Sequence, residues 1–418
     1  MFKLVLFEMR KVWKSTYFIV MLGLLFFFIS TYFIYSYIQT ERVEDVILRL
    51  EEQKFSYQVG LDELQSEMDA AEIDPEDDFV KRELQNYQEP LDRLNEQIEA
   101  VKQGNWDFIL EEELIYTENY LQTFPSQAHE DIHTWPTHFT HEFIHERNQW
   151  LKEKEIAPVF PIHYMSEITY YDRVFDDPII EEAAHSFFNK YSSSTIYFLY
   201  LLFGLGFGVA GVCYFLFLFG DILTKEGLGR NGPIQFLYTQ TLTSWKVLMG
   251  KYLTVLFLSL MILGGVIFLS YLLGLGFERV GAWNYPVLIY EPEFQFHLMN
   301  MGKFNVLSTL LFLMVLWFSF ALLFLFSVWL KKTLPGLVLT VVMILLGVYF
   351  SRTGAVLEAS FASYNPFTYF HIRDVLTMEL ALTVGNFNIS LWNGVASLTV
   401  STLFLLAITY FLFRFKTK

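Results

Sequence analysis

Two histidines in the first half of the chain have the spacing of a zinc site. His141, Glu142 and His145 read H-E-x-x-H, and histidines four positions apart on a helix share one face. Such a pair can hold zinc while the glutamate acts as a general base. A catalytic zinc also needs a third ordered ligand, and nothing in the sequence identifies it among the other histidines. We therefore favour no metal, with His141 and His145 as the candidates if one binds.

The sequence contains no phosphate-binding loop of the pattern G-x-x-x-x-G-K-[S/T]. Lys251 and Lys303 each follow a glycine, but the next residues are Tyr252 and Phe304. They replace the serine or threonine that binds magnesium in such a loop. We expect this chain to be non-catalytic and to carry no cofactor of its own. In an ATP-driven process, ATP and magnesium would bind to a partner ATPase.

The composition is that of a membrane protein. Of 418 residues, 53% are hydrophobic and 18% aromatic, which is more apolar surface than a soluble domain of this length needs. A helix that crosses the hydrocarbon layer needs about 20 apolar residues. Six stretches come close to or exceed this length, at 17–38, 195–219, 252–277, 305–330, 334–350 and 393–413. They predict an all-α polytopic membrane protein with six transmembrane helices.

The net charge of −16 is unevenly distributed. Residues 40–190 hold 36 of the 45 acidic and 12 of the 29 basic residues, so they carry −24 while the rest of the chain carries +8. A nucleic-acid partner is not expected, because phosphate backbones bind clustered lysines and arginines. Cys213 is the only cysteine, which excludes an intrachain disulfide.

The short loops predict the orientation, because lysine and arginine are retained on the cytoplasmic side. Basic residues concentrate before the first stretch, between the second and third, between the fourth and fifth, and after the sixth. Both termini are therefore predicted to be cytoplasmic. The predicted parts are an amphipathic interface helix at 1–16, a first span at 17–38, an acidic extracellular helical domain at 39–191, and a membrane domain at 192–418 with a cytoplasmic loop at 220–251.

The acidic domain contains the pattern of a coiled coil. Apolar residues recur at alternating spacings of four and three, at Val80, Leu84, Tyr87, Leu91, Leu94, Ile98 and Val101. This spacing is typical of a coiled-coil seam. A weaker version, in which Lys54 replaces one apolar residue, predicts a second arm, so we expect an antiparallel helical hairpin. The predicted seam of this arm is Val43, Ile47, Leu50, Tyr57, Leu61, Leu64 and Met68. A further helix is predicted from Trp106 to Phe124.

The predicted second span contains closely spaced glycines. Gly204 and Gly208 form G-x-x-x-G, which is typical of close helix packing in membranes. Charged residues are nearly absent from the predicted spans, so conduction of small ions through fixed charged sites is not expected.

The cytoplasmic loop carries a recognisable order of motifs. Asp221 ends the second span, an acid-glycine pair follows at 226–227, a Thr/Ser-rich turn lies at 241–244, and a Gly-Lys pair at 250–251 opens the third span. This order resembles the loop between the second and third spans of type-2 ABC transporter permeases, the membrane-spanning subunits of ABC exporters. The turn lacks the proline that the family often has there.

The resemblance implies that this loop includes the coupling helix that seats on an ABC ATPase. The candidate residues are Asp221, Glu226, Gly227, Ile234, Leu237, Tyr238 and Leu242. The last four can share one helical face, which would expose apolar surface unless a partner covered it. The amphipathic stretch 2–14 and the segment YNPFTYF at 364–370 are also similar to family elements. The large outer domain is similar to that of permeases from low-GC Gram-positive bacteria, which implies a bacterial cell membrane.

These features predict a permease that exports an amphipathic substrate, such as a peptide, an antimicrobial compound or a lipid. Its expected partners are an ABC ATPase on the cytoplasmic side, a second permease subunit, identical or different, and membrane lipid. Two alternatives remain open. One is a membrane-anchored zinc metalloprotease that uses residues 141–145. The other is a membrane sensor that works without an ATPase.

Overall fold

In a computed structural model, the described part of the chain is almost entirely helical. The structure describes residues 2–71, 78–124, 136–162, 166–173, 190–224, 243–359 and 361–416. The chain divides into two compact units. The first comprises Met1–Tyr37, Ser193–Trp283 and Val287–Lys418, and the second comprises Ile38–Ser192 with Asn284–Pro286.

The helices are numbered in chain order. They are α1 (Phe2–Trp13), α2 (Thr16–Gln39), α3 (Val43–Ala71), α4 (Asp78–Gln103), α5 (Trp106–Thr123), α6 (His138–Glu153), α7 (Thr195–Leu202), α8 (Gly208–Phe219), α9 (Ser244–Phe277), α10 (Met301–Leu330), α11 (Thr333–Ser351), α12 (Gly354–Leu357), α13 (Ile372–Leu376), α14 (Glu379–Thr383) and α15 (Leu391–Lys416). A single pair of strands, β1 (Pro286–Tyr290) and β2 (Phe296–Asn300), forms the sheet of the described part.

Five helices in the described part are long and apolar enough to cross a membrane, namely α2, α9, α10, α11 and α15. The pair α7 and α8 makes a sixth if it is one span. A helix satisfies its backbone hydrogen bonds internally, which is what a segment in hydrocarbon requires. The predicted all-α, multi-pass membrane character is therefore confirmed.

The second predicted span is bent rather than continuous. A π-helical turn at Phe203–Phe207 separates α7 from α8, and the two directions differ by 82°. A β-carbon on Gly208 would lie 2.1 Å from the carbonyl oxygen of Phe370, and one on Gly204 would lie 2.5 Å from Nη1 of Arg373. The glycines therefore permit close packing, as predicted, here against Phe370 and the first turn of α13. Glycines and a π-bulge are recognised causes of a helix bend.

Helix α9 begins earlier than the sequence predicts. It starts at Ser244 rather than near Tyr252, so Lys251 lies within the helix and is fully buried. The helix that contains the third predicted span thus also holds a buried charge, one position before that span begins. A lysine can be buried within a helix when another charge and hydrogen bonds compensate it.

The strand pair was not predicted, because the turn lacks the usual glycine or asparagine. Glu293 and Phe294 instead occupy the left-handed region, at φ 59° and 58°. The backbone N–H of Gln295 donates to the carbonyl of Pro292 at 3.2 Å, and that of Tyr290 donates to the carbonyl of Thr377 at 2.9 Å. The second of these bonds fastens the hairpin to the turn between α13 and α14.

In the second unit, α3 and α4 pair in opposite directions. Lys102 Nζ lies 3.2 Å from Glu51 Oε1, while the ring of Tyr87 packs on Gly60. The buried seam residues of α4 are Val80, Leu91, Leu94, Ile98 and Val101, all of them predicted. That the two helices form a coiled coil and lie outside the cell stays a prediction.

The first arm of this hairpin departs from the predicted seam. Val46 is buried and packs in a cluster that includes Val101, Ile109, Phe160 and Ile162, whereas Tyr57, a predicted seam residue, is exposed. Contacts with the segment after α6 determine which face of α3 is buried here, and a repeat-based prediction does not include them. Helix α5 is confirmed within one residue of its predicted end.

Candidate functional site

A buried ion pair fastens helix α1 to helix α9. Lys251 Nζ lies 3.0 Å from Glu8 Oε1, and the two side chains are 0% and 2% exposed. The ammonium also donates a 3.1 Å hydrogen bond to the carbonyl oxygen of Ile222. A buried ion pair is tolerated when further hydrogen bonds satisfy its charged groups. One ammonium thus joins α1, the turn after α8, and the second turn of α9.

Close backbone packing accompanies this ion pair. A β-carbon on Gly250 would lie 2.6 Å from Cδ2 of Leu4. The hydroxyl of Thr254 donates to the carbonyl of Gly250 at 2.8 Å and lies 3.5 Å from the carbonyl oxygen of Val5. The Gly-Lys pair at 250–251 therefore has a structural explanation: the glycine admits α1, and the lysine binds it.

Helix α1 presents a different face to the protein from the one its hydrophobic pattern suggests. Its buried residues are Val5 and Glu8, whereas Phe2, Leu6 and Trp13 are exposed. An exposed apolar face suits contact with lipid. Sequence reasoning did not single out Glu8. The available signal was that it is the only acidic residue among the first 14.

The loop between α8 and α9 is held at its two described ends. Before the loop, the Thr224 hydroxyl lies 2.5 Å from that of Thr333 at the start of α11. Asp221 lies in the turn after α8, where it lines a small cleft together with Glu8 and Tyr17. After the loop, the backbone N–H of Val247 donates to the carbonyl of Thr243 and starts α9.

The other predicted coupling residues lie outside the described residues, in the segment 225–242. They are Glu226, Gly227, Ile234, Leu237, Tyr238 and Leu242. The structure thus places one of the seven predicted site residues, Asp221, and shows how the ends of the loop are held. The role of the remaining six stays a prediction.

The H-E-x-x-H residues lie on α6 and pack against α5. The ring of His141 stacks on Tyr120, with centroids 3.7 Å apart and planes 23° apart. His145 Nδ1 lies 3.0 Å from the hydroxyl of Thr117. Burial lowers the pKa of His141 to about 4. Within the described ranges, no three His, Cys, Asp or Glu side chains are grouped to hold a metal ion.

A buried carboxylate fixes the start of α6. Asp172 accepts hydrogen bonds from the backbone N–H groups of Thr137 and Thr169, at 2.7 and 2.9 Å, and from the hydroxyl of Thr140. Several such bonds, two of them from a helix N-terminus and a turn, stabilise a carboxylate away from water. Sequence reasoning missed this residue, because its partners on α6 and at the start of α6, Thr140 and Thr137, are 32 and 35 positions away.

The Asn-Pro-Phe element adjoins the bend between α7 and α8. The side chain of Asn365 accepts a 3.2 Å hydrogen bond from the backbone N–H of Phe367 and caps a 3₁₀ turn. Beyond it, Arg352 Nη2 lies 2.8 Å from His371 Nδ1 and 3.4 Å from Asp374 Oδ2. Burial, with a smaller contribution from Arg352, lowers the pKa of His371 to about 4.

Comparison with known proteins gives no relatives. No family model matches the sequence, and no curated protein or solved structure is significantly similar to it.

Proposed function

We propose that this chain is the membrane-spanning permease subunit of an ABC exporter of the type-2 class. The observation that carries the proposal is the Lys251 ammonium, which binds Glu8 of α1 and the Ile222 carbonyl in one buried site. A loop that receives force from a partner must be attached firmly to the membrane helices. Residues 225–242 connect two segments that this site holds together.

These contacts support a mechanism for the proposed coupling. An ATPase that binds the apolar face predicted to be shared by Ile234, Leu237, Tyr238 and Leu242 would move the loop during its hydrolysis cycle. Because Ile222 and Lys251 are hydrogen-bonded to each other, that movement would reach α8 and α9 together. Glu8 would carry α1 along with them, since separating two buried opposite charges is costly.

The orientation in the membrane and the cargo are proposed from the distribution of charge along the chain. The basic short loops favour cytoplasmic termini and an extracellular acidic domain in a bacterial membrane. An amphipathic cargo, a peptide or a lipid, suits spans with few charges. A second permease subunit would complete the complex, and ATP with magnesium would bind to the ATPase.

The test is reconstitution with an ABC ATPase, sought first among the reading frames adjacent to this gene. The double variant Leu237→Ala with Tyr238→Ala should weaken assembly roughly 30-fold, since truncating buried interface anchors costs about 2 kcal/mol or more. A matched control is Leu48→Ala with Phe55→Ala, which removes two exposed apolar side chains from α3. That control should assemble normally.

A charge variant separates assembly from coupling. Glu226→Gln should leave copurification intact and reduce substrate-stimulated ATP hydrolysis, because it removes one charge and little surface. Full assembly and full stimulation in the double alanine variant would refute the proposed coupling role. The zinc protease is not proposed, because His141 is 2% exposed and its ring is covered by Tyr120.

A further inference from the structure

A cavity of about 520 Å³ lies between the β-hairpin and the first turns of α10 and α15. Ile289 and Tyr290 of β1 form one wall, Leu307 of α10 another, and Val375 and Leu376 of α13 a third. This volume is within the range of small-molecule sites in proteins. All of its walls belong to the first unit of the chain.

The walls are built into the fold rather than being a surface irregularity. Ile289, Tyr290, Val375 and Leu376 are buried in the protein. The hydrogen bond from Tyr290 N–H to the Thr377 carbonyl, 2.9 Å, holds two of the walls together. Met378, which also lines the cavity, has φ 61°. A methionine in this left-handed conformation persists only where its surroundings fix it.

The charged groups at the cavity do not form an ion pair with each other. Glu291 Oε1 lies 2.7 Å from His297 Nδ1, so this carboxylate has a hydrogen-bond partner of its own. Lys303, in the first turn of α10, lines the same cavity and is exposed. It forms no ion pair with any residue in the described ranges. The cavity thus combines apolar walls with an available ammonium group.

The position of the cavity indicates the kind of ligand. It lies where two helices able to cross a membrane begin, α10 at Met301 and α15 at Leu391. Trp392, also a lining residue, is 72% exposed. Tryptophans concentrate where lipid headgroups meet the acyl chains. A lipid bound at this boundary can place an acyl chain among the apolar side chains of the cavity and its headgroup beside Lys303.

We propose that this cavity binds an anionic membrane lipid, with an acyl chain between the hairpin and α10 and the phosphate at Lys303. The site depends on neither an ATPase partner nor the coupling loop. It is therefore separate from the proposed transport function and is tested on this chain alone.

The experiment is native mass spectrometry of the purified, delipidated full chain with dioleoyl phosphatidylglycerol. The wild type should retain one lipid molecule. Lys303→Met should weaken retention about tenfold, because it removes a charge-assisted contact, while Lys303→Arg should retain the lipid. Leu307→Trp should abolish retention by filling the cavity. Lys332→Met, an exposed lysine at the other end of α10, is the matched control and should bind normally.

Three results would overturn the proposal. Equal retention of dioleoyl phosphatidylcholine, unaffected by Lys303→Met, would mean that the site does not recognise an anion. Competition by glycerol phosphate as strong as by the lipid would mean a phosphate site without an acyl chain. Unchanged lipid retention in a folded Leu307→Trp variant would place the lipid elsewhere. Size-exclusion chromatography of each variant establishes that it is folded.

Discussion

The ammonium of Lys251 lies 3.0 Å from the carboxylate of Glu8, although the two residues are 243 positions apart and neither reaches solvent. Lys251→Met should therefore destabilise the protein by about 3–5 kcal/mol, because it leaves a buried carboxylate without its cation. Thermal unfolding in detergent, followed by tryptophan fluorescence, measures the effect. Lys246→Met, on an exposed turn of the same helix, should change little.

The double variant Glu8→Gln with Lys251→Met tests the pairing itself. Removing both charges leaves no uncompensated ion, so it should recover a large part of the lost stability. If the double variant were as unstable as the sum of the single variants, the two residues would not be energetically coupled, and the central observation behind the proposed function would fail.

The glycines of the bent span allow a second prediction. Gly208→Ala should lower stability by about 1–3 kcal/mol, because its β-carbon would collide with the backbone oxygen of Phe370 and cannot be relieved by a rotamer change. Gly264→Ala on α9 is the control, since nothing lies within 4 Å of its β-carbon. There alanine should be neutral or slightly stabilising. Equal melting temperatures for the two variants would contradict the described packing.

His141 predicts a pH dependence. Burial lowers its pKa from 6.5 to about 4, so the unfolded chain binds more protons there than the folded chain between these values. Stability should consequently rise from about pH 4 to pH 6.5 and level off above it. His141→Phe keeps a ring on Tyr120 and should flatten this rise by about 3 kcal/mol. If the stability of the wild type and of the variant changed in the same way between pH 4 and pH 6.5, His141 would not be the source of this pH dependence.

The orientation can be tested with single cysteines. In a Cys213→Ser background, Glu153→Cys should react with an impermeant maleimide on intact cells. The short loops rich in lysine and arginine are predicted to be cytoplasmic, which places the acidic domain that contains residue 153 outside the cell. Lys332→Cys should react only after the cells are permeabilised. Both positions are exposed in the described structure, so access does not depend on unfolding. If the cysteine at position 332 were labelled on intact cells and the one at position 153 were not, the true topology would be the reverse of the proposed one.

Hydropathy and repeat patterns predicted the long helices, because the formation of each helix depends mainly on residues that are close together in the sequence. Helices α10, α11 and α15 begin and end within four residues of their predicted bounds, and the seam of α4 is buried at most of its predicted positions. These properties are local, because apolar length and period are read from one segment.

The features that the sequence did not reveal depend on distant residues. The bend at Phe203–Phe207 forms against Phe370 and Arg373, which follow more than 160 positions later. Glu8 and Lys251 look like ordinary charges at the ends of apolar stretches until their helices meet. The β-hairpin uses two residues with positive φ that no turn rule favours. Pairings of this kind are decided by tertiary contacts.

The sequence separation of Glu8 and Lys251 also constrains how the protein is made. At synthesis rates of about 5–20 residues per second, roughly 10–50 s pass between the two residues leaving the ribosome. During that interval Glu8 lacks its cation, so α1 must wait in an environment where a carboxylate stays hydrated, such as the membrane surface. Only insertion of α9 supplies the ammonium. Docking of the first helix is therefore a late step of biogenesis, and it can report that the third long apolar segment has been inserted correctly.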